Sequence, residues 1–192
     1  MARLRVAALL AVVLAACGGD PYVPAGAVRE PAPVVAVAQV PDDDGDFEFL
    51  ADPGGLLIVY FGYTSCPDIC PTSMSDLRGA LAAVGDLADR IGVAMVTVDP
   101  ERDSDEVIAA YVETFFPRGR GLRIDDSDLL AEVAGAFGAY YSVEEDDEGG
   151  VDVVHSAWLY VVDETGRLLL AWPFGTDRVD IAADIEHLIK EQ

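Results

Sequence analysis

The sequence predicts an α/β fold with a central mixed β-sheet flanked by helices. Two continuous apolar, β-rich runs, residues 56–61 and 91–98, have the pattern of strands that are buried on both faces of a sheet. An amphipathic segment separates them. Two shorter alternating runs and a last helical pattern follow nearer the C-terminus, so the elements of one α/β domain are all present.

The first three elements form a strand–helix–strand unit. After residues 56–61, apolar residues recur at spacings of three and four and give one helical stripe: Met74, Leu77, Leu81 and Val84. Residues 91–98 supply the next strand. A helix between two such strands favours parallel pairing through a right-handed crossover.

Two further helices follow. Ser104 and Ser127 are suited to cap them, and Pro117 ends the first. Their inward faces would be formed by Val107, Ile108, Tyr111, Val112 and Phe115 in the first helix and by Leu130, Val133, Ala134 and Phe137 in the second.

A hairpin and a last helix complete the order. Residues 157–162 and 167–172 are joined by the turn composition of residues 163–166, which predicts an antiparallel hairpin. The last helix would begin near Asp177 and bury Ile181, Ile185, Leu188 and Ile189. This order, with two cysteines directly after the first core strand, is typical of a thioredoxin-like domain, here over residues 46–192.

The N-terminus resembles a bacterial lipoprotein signal. Arg3 and Arg5 precede an apolar run over residues 6–16, which is too short to span a bilayer, since spanning takes roughly 20 helical residues. Residues 14–18, Leu-Ala-Ala-Cys-Gly, resemble a lipobox, whose cysteine is acylated. We predict a signal peptide over residues 1–16, lipid attachment at Cys17 and a place on the extracytoplasmic face of a bacterial cell membrane. The alternative is an ordinary cleaved signal.

Residues 17–45 are predicted to be a flexible, lipid-attached tether. They are rich in Gly, Pro, Ala and Val, contain several helix breakers and show no helical periodicity. Residues 34–40 would be the exception, as a short strand on the domain edge.

The composition is strongly acidic. The formal charge is -23, and loss of residues 1–16, which hold two arginines and no acidic residue, brings it to -25. This balance argues against nucleic acid as a partner and makes membrane attachment depend on lipid rather than on basic residues. Residues 144–150 are predicted to form a mobile acidic loop. Solvated surface is its main interpretation, and docking of a basic partner is the alternative.

The three cysteines have separate roles. Disulfides use cysteines in pairs, so an odd number in an exported chain leaves one cysteine for another role. Lipid attachment would be that role for Cys17. Cys66 and Cys70 close too short a loop for a strongly stabilising disulfide. Pro67 and Pro71 confine the pair to the loop or the opening of the helix, where the helix amides favour thiolates. Both sulfurs are therefore predicted to be reactive.

Three residues separate Cys66 from Cys70, and this spacing leaves two chemistries open. One is a disulfide redox couple, although thioredoxin-type pairs usually have two intervening residues. The other is a metal site, because paired thiolates select Cu(I) or zinc and an added imidazole suits copper in either oxidation state. His187 is predicted on the polar side of the last helix. His155 enters the strand expected beside the cysteine-bearing strand, so it is the candidate third ligand, with a structural histidine as the alternative.

Three motifs in order resemble the Sco/SenC family. Residues 62–71 match its Gly-Tyr-Thr-x-Cys-Pro-Asp-x-Cys-Pro signature, and residues 98–103 resemble its Val-Asp-Pro-Glu-Arg-Asp segment. His155 and Ser156, ahead of Asp163 and Gly166, resemble its histidine-serine pair before Asp-x-x-Gly. The chain departs from the pattern in two places. Ser65 stands where histidine is common, and the usual hairpin before the first core strand is short or degenerate in residues 34–55.

The resemblance implies a copper ion bound by Cys66, Cys70 and His155. It implies delivery of copper to the dinuclear copper centre of cytochrome c oxidase, or reduction of that centre's cysteines. The partner would be the copper-bearing subunit of the oxidase or another copper chaperone, and the protein would be a metallochaperone rather than an enzyme. Asp68 would lie near the metal without binding it, and a contact of Arg102 with a carboxylate would hold residues 99–103 beside the site.

Other functions remain open. A thiol-disulfide oxidoreductase would use Cys66 and Cys70 without His155. Peroxide reduction is disfavoured because the chain has no separate resolving cysteine outside the pair. An acidic lipoprotein that binds a partner without chemistry is the last alternative, and the clustered thiols argue against it.

Overall fold

The protein is described by a computed structural model over residues 21–42, 45–145 and 150–192. The predicted signal peptide and Cys17 lie outside these residues. Among the helices in the described ranges, none has both the length and the apolar character needed to cross a membrane.

The described residues contain four α-helices and ten strands. The helices are α1 Ile69–Ala83, α2 Asp105–Phe115, α3 Ser127–Phe137 and α4 Arg178–Glu191, with a 3-10 helix at Gly85–Arg90. The first five strands are β1 Ala27–Val28, β2 Gln39–Val40, β3 Phe47–Glu48, β4 Leu56–Gly62 and β5 Ile91–Thr97. The others are β6 Arg120–Leu122, β7 Tyr141–Glu145, β8 Val151–His155, β9 Trp158–Val162 and β10 Leu168–Pro173.

The central sheet is mixed and has six strands in the order β1-β10-β9-β4-β5-β6. β4 pairs in parallel with β5, as the strand–helix–strand pattern predicted, and β5 pairs in parallel with β6. The predicted hairpin is formed by β9 and β10, and β9 lies antiparallel beside β4. The predicted mixed sheet flanked by helices is therefore confirmed.

Both faces of the sheet are covered, which explains the unbroken apolar run of β4. Leu56, Ile58 and Tyr60 face a core shared with α1, α2 and α4. Leu57, Val59 and Phe61 face the other core, which α3 and the N-terminal segment complete. Each fully buried aliphatic side chain contributes ~1.5–3 kcal/mol to folding. Because β4 places three side chains in each core, it is the central element of both.

Two details of the predicted helices differ in the structure. Ser104 caps α2 as predicted, but the side chain of Val107 is exposed rather than part of the inward face. α3 is capped by Asp126 rather than Ser127, since the Asp126 carboxylate accepts hydrogen bonds from the amides of Asp128 and Leu129. A carboxylate that accepts two amides at a helix N-terminus satisfies the helix better than the following serine would.

A second hairpin, which the sequence did not predict, lies in and around the acidic stretch. β7 and β8 pair antiparallel, with Tyr141 opposite His155 and Glu145 opposite Val151. Glu144 and Glu145 thus belong to a strand, and the loop prediction is wrong for them. Residues 146–149 lie outside the described ranges. The hairpin matters for function because His155 is its last residue.

The N-terminal segment packs on the domain over much of the predicted tether. β1 pairs with β10, and Val35 and Val40 are fully buried. The structure thus differs from the predicted flexible tether over residues 25–33, because apolar residues between the helix breakers reach the sheet. Residues 34–40 pack on the domain as the predicted exception, with a bridge at Val34 and a strand at Gln39–Val40. The hairpin of β2 and β3 has two residues in each strand, as short as the sequence indicated.

Asp184 holds this segment in place. Its side chain is fully buried on α4 and accepts hydrogen bonds from the amides of Ala25 at 3.1 Å and Gly26 at 3.0 Å. It also accepts hydrogen bonds from Trp172 Nε1 at 2.8 Å and from the Tyr22 hydroxyl at 2.5 Å. One carboxylate therefore ties the N-terminal segment to α4 and β10.

We expect Asp184→Asn to lower the free energy of unfolding by about 2 kcal/mol, because the amide accepts fewer hydrogen bonds and leaves buried donors without a partner. Chemical denaturation followed by circular dichroism measures the change. Asp180→Asn, an exposed change on the same helix, is the matched control and should leave stability unchanged. Equal losses in the two variants would contradict the role given to Asp184.

Candidate metal centre

The two cysteines lie where β4 ends and α1 begins. Cys66 is in the connecting loop and Cys70 is the second residue of α1, because Pro67 precedes the helix and Pro71 is accepted in its first turn. Both are free thiols. Cys70 is fully buried, whereas Cys66 is partly exposed. The predicted placement of the pair is confirmed, and it gives the two sulfurs unequal access to solvent.

His155 reaches the cysteines from the end of β8. Its Nδ1 lies 3.2 Å from the carbonyl oxygen of Ser156, to which it donates. The other ring nitrogen, Nε2, is 3.5 Å from Cys70 Sγ. The rings of Tyr60 and Tyr63 contact the imidazole edge-on, with centroids 5.9 and 5.8 Å away. With the Nδ1 proton on this carbonyl, Nε2 carries the lone pair and faces Cys70 Sγ.

The three predicted ligands converge. The sulfurs of Cys66 and Cys70 and a ring nitrogen of His155 all lie within 4.8 Å of one another. Within the described ranges, no other group of His, Cys, Asp and Glu side chains is placed to hold a metal ion. Two thiolates and one imidazole are soft and borderline donors, which suit copper or zinc and are unsuited to Mg²⁺ or Ca²⁺.

Neither His187 nor the Asp68 side chain makes a contact with the three ligands that the structure records among its described residues. His187 is on α4, where it stacks on Tyr22 with ring centroids 4.1 Å apart. The Asp68 side chain is exposed and accepts a hydrogen bond from the Thr72 hydroxyl at 3.5 Å. The expectation that Asp68 lies next to the metal therefore stays a prediction.

The two thiols differ in acidity. Burial alone would raise the pKa of Cys66, but hydrogen bonds from Cys70, led by its side chain and then its amide, and from the Asp68 amide lower that pKa below its ordinary value. The Cys70 amide lies 3.3 Å from Cys66 Sγ. Burial, followed by the hydrogen bond with Cys66, raises the pKa of Cys70 to about 12. Cys66 is therefore the sulfur that is ionised first.

Burial also lowers the pKa of His155, although its hydrogen bonds to backbone carbonyls oppose this. A lowered pKa keeps the imidazole neutral at pH 7. Neutral imidazole is the form that binds metal, so the site needs no proton release from His155.

At pH 8 we expect iodoacetamide to modify Cys66 at least tenfold faster than Cys70, since the thiolate is the nucleophile and only Cys66 combines a lowered pKa with exposure. Peptide mass spectrometry of the reduced chain over a time course gives both rates. Urea-unfolded chain is the control, in which the two rates should become similar. Faster modification of Cys70 in the folded chain would contradict this assignment.

A buried carboxylate, whose role was not predicted from the sequence, anchors the cysteine loop. Asp103 is fully buried and accepts hydrogen bonds from the Thr64 amide at 3.0 Å, from the Thr64 hydroxyl and from the Thr97 hydroxyl at 2.6 Å. Thr64 lies two residues before Cys66. Asp103 therefore fixes the start of the loop to the end of β5. Its sequence signal was its place as the last residue of the Val-Asp-Pro-Glu-Arg-Asp segment after that strand.

The predicted contact of Arg102 beside the site is confirmed. Arg102 Nε donates to the Asp99 carboxylate, and the guanidinium lies 5.9 Å from the ring centroid of Tyr63. Tyr63 in turn contacts His155. The turn at residues 99–103 thus contacts the metal centre's surroundings in two ways: Asp103 holds Thr64, and Arg102 packs on Tyr63.

The fold and site together define a thioredoxin-like protein with a soft-metal site at the end of its first core strand. The chain belongs to the SCO1/SenC family, whose family model matches residues 43–190. The resemblance in the sequence motifs is thereby confirmed.

Curated relatives agree with this membership. A SCO2-like protein of Rickettsia prowazekii is 32% identical over 118 residues, which is 60% of this chain and 57% of the relative. The mitochondrial SCO1 homologue of Homo sapiens is 31% identical over 137 residues, which is 69% of this chain and 44% of that protein. The matched region thus spans about half the length of these relatives.

Solved structures confirm the thioredoxin-like fold. The apo Sco1 protein from Thermus thermophilus has a TM-score of 0.75 and 30% identity, covering 88% of this chain and 99% of that one. Copper-bound ScoI of Bradyrhizobium japonicum has a TM-score of 0.67 and 30% identity, covering 81% and 97%.

Proposed function

We propose that this protein is an extracytoplasmic copper metallochaperone that binds one copper ion through Cys66, Cys70 and His155. The observation that carries the proposal is the convergence of two sulfurs and one imidazole nitrogen within 4.8 Å. Copper rather than zinc is chosen because the related ScoI of Bradyrhizobium japonicum and yeast Sco1 have been solved with copper bound, at 30% and 26% identity. The donor set suits both oxidation states of copper.

The unequal burial of the ligands suggests how copper would be held and released. Cys70 and His155 form the inner side of the site, and partly exposed Cys66 forms its outer side. A recipient's thiolate or imidazole would reach the ion from the Cys66 side, bind it and displace Cys66 first. Transfer would then finish when ligands of the recipient replace Cys70 and His155. The oxidation state of copper would not change in this ligand exchange.

The recipient suggested by family membership is the dinuclear copper centre of cytochrome c oxidase, or another copper chaperone that supplies it. The acidic chain, with a net charge of -23, favours a basic docking face on that recipient. Cys17 is proposed as the lipid anchor that keeps the domain at the extracytoplasmic membrane surface. Cys17→Ser should release the chain into the soluble fraction, and continued sedimentation with membranes would exclude the anchor.

A thiol-disulfide oxidoreductase is the second candidate, favoured by the acidic, partly exposed Cys66 beside a second free thiol. The Cys66 thiolate would attack a recipient disulfide, form a mixed disulfide and release one recipient thiolate. Cys70, after losing its proton to a base in solution, would attack Cys66 Sγ and release the second. Two electrons would pass to the recipient, and a Cys66–Cys70 disulfide would remain.

Copper titration of the reduced chain tests the proposal. A Cys17→Ser background leaves Cys66 and Cys70 as the only cysteines. Cu(I) and Cu(II) are titrated against competing chelators with absorption spectra, beside the variant that also carries Cys66→Ser and Cys70→Ser. We expect one tightly bound copper in the first protein and none in the second. No tight binding, together with cycling of the pair by a dithiol, would replace the metallochaperone with the oxidoreductase.

A further inference from the structure

Two buried hydroxyl groups beside Cys70 lack hydrogen-bond partners. The side chain of Tyr60 is fully buried and Ser73 is 5% exposed. Neither the Tyr60 hydroxyl nor Ser73 Oγ has a hydrogen-bond partner among the described residues. Buried polar atoms are almost always paired in folded proteins, so two such atoms next to a predicted metal-binding sulfur require an explanation.

Tyr60 lies against two of the three ligands. A side chain at Gly62 would come within 2.6 Å of Tyr60 Cε1 and within 3.1 Å of Cys70 Sγ, so the ring edge and the sulfur flank the same backbone position. The Tyr60 ring also meets the imidazole of His155 edge-on, at 87°. Gly62 therefore provides the space in which Tyr60 and the Cys70 sulfur come together.

Ser73 lies behind Tyr60. It follows Cys70 by three residues on α1, so the two side chains share one face of the helix. Burial and then Cys70 raise the pKa of the Tyr60 hydroxyl, and Ser73 opposes that increase. Both neighbours are thus within interaction range of the hydroxyl although neither completes a hydrogen bond with it.

We propose that Tyr60 is a positioning residue for the metal centre, whose hydroxyl donates a hydrogen bond to Cys70 Sγ when that sulfur binds copper, with Ser73 donating to the Tyr60 oxygen. The inference rests on the proposed copper-binding function. A sulfur that coordinates a metal carries the electron density that a hydrogen bond needs, whereas a thiol is a weak acceptor. Such hydrogen bonds orient ligands and adjust how strongly the sulfur donates to the metal.

The test compares Tyr60→Phe with wild type in the Cys17→Ser background, by Cu(I) competition and by the sulfur-to-Cu(II) charge-transfer absorption. We expect about a tenfold loss of Cu(I) affinity, as for other groups that support a metal ligand. We also expect a shift of the absorption band to longer wavelength, because loss of a donor raises the energy of the sulfur lone pairs. Ser73→Ala should change both readouts in the same direction by a smaller amount.

Tyr22→Phe is the matched control. The Tyr22 hydroxyl also makes a hydrogen bond, but it donates to Asp184, and the ring stacks on His187 rather than on His155. This variant should leave affinity and absorption at wild-type values. Wild-type affinity and spectrum in Tyr60→Phe would overturn the inference while leaving copper binding intact, and a smaller loss of affinity in Tyr60→Phe than in Tyr22→Phe would also overturn it. If Tyr60→Phe does not fold, an unchanged band in Ser73→Ala overturns it. Lack of copper binding by wild type would instead refute the proposed function itself.

Discussion

Replacing His155 by alanine is expected to weaken copper binding at least tenfold while leaving the Cys66–Cys70 pair able to form and break a disulfide. The imidazole is the one nitrogen ligand, and its Nε2 lies 3.5 Å from Cys70 Sγ. Deletion of the imidazole leaves two sulfur ligands and an open position on the metal. Groups that only support a ligand typically contribute about 10–100-fold to metal affinity. The loss for a ligand itself should exceed that range unless water replaces the nitrogen. Competition with a Cu(I) chelator and the spectrum of the Cu(II) form measure the change.

The chain has its own control for this experiment. His187 is the second of the chain's two histidines. It stacks on Tyr22, whose hydroxyl donates to Asp184, and its recorded contacts do not include the cysteines. His187→Ala should therefore bind copper as wild type does. If His155→Ala and wild type bind copper equally well, His155 is structural and the three-ligand site is wrong.

Asp103→Ala is expected to reduce the free energy of unfolding by about 3 kcal/mol and to weaken copper binding as well. The substitution removes a fully buried acceptor and leaves the Thr64 amide and two hydroxyls without a partner, each a cost of about 1–3 kcal/mol if no water enters. Because Thr64 lies two residues before Cys66, the loop that carries the first ligand should also lose its fixed position. Denaturant unfolding of the metal-free chain measures stability, and chelator competition measures affinity.

Asp105→Ala provides the comparison for Asp103. Asp105 is two residues further on, and 62% of its side chain is exposed. Its removal should affect neither stability nor copper affinity strongly. A stable Asp103→Ala variant with wild-type affinity would show that the hydrogen bonds of Asp103 do not position the cysteine loop.

These two variants separate the ligand from its support. His155→Ala should change copper affinity with little effect on the metal-free fold, because the imidazole is one side chain at the end of a strand. Asp103→Ala should change both, since its three hydrogen bonds join the cysteine loop to the end of β5. Hydrogen exchange at Thr64 would show whether the loop has loosened in the second variant.

The sequence by itself determined the elements that rest on local pattern. The continuous apolar run of β4, the stripe of α1 and the cap at Ser104 each depend on neighbours within a few residues, so periodicity and side-chain type were sufficient. Pro67 and Pro71 placed the cysteines at a helix opening for the same reason. The family motifs added His155, which spacing alone could only suggest.

The tertiary structure decided which distant residues meet. Cys70 and His155 are 85 residues apart in the chain, and their approach depends on the β7–β8 hairpin, in which His155 is paired with Tyr141. Asp103 reaches Thr64 across 39 residues, and Asp184 reaches Gly26 across 158. Such contacts follow from strand register and the paths of loops. A local pattern records the period of a helix or strand but not the partner against which its buried groups pack.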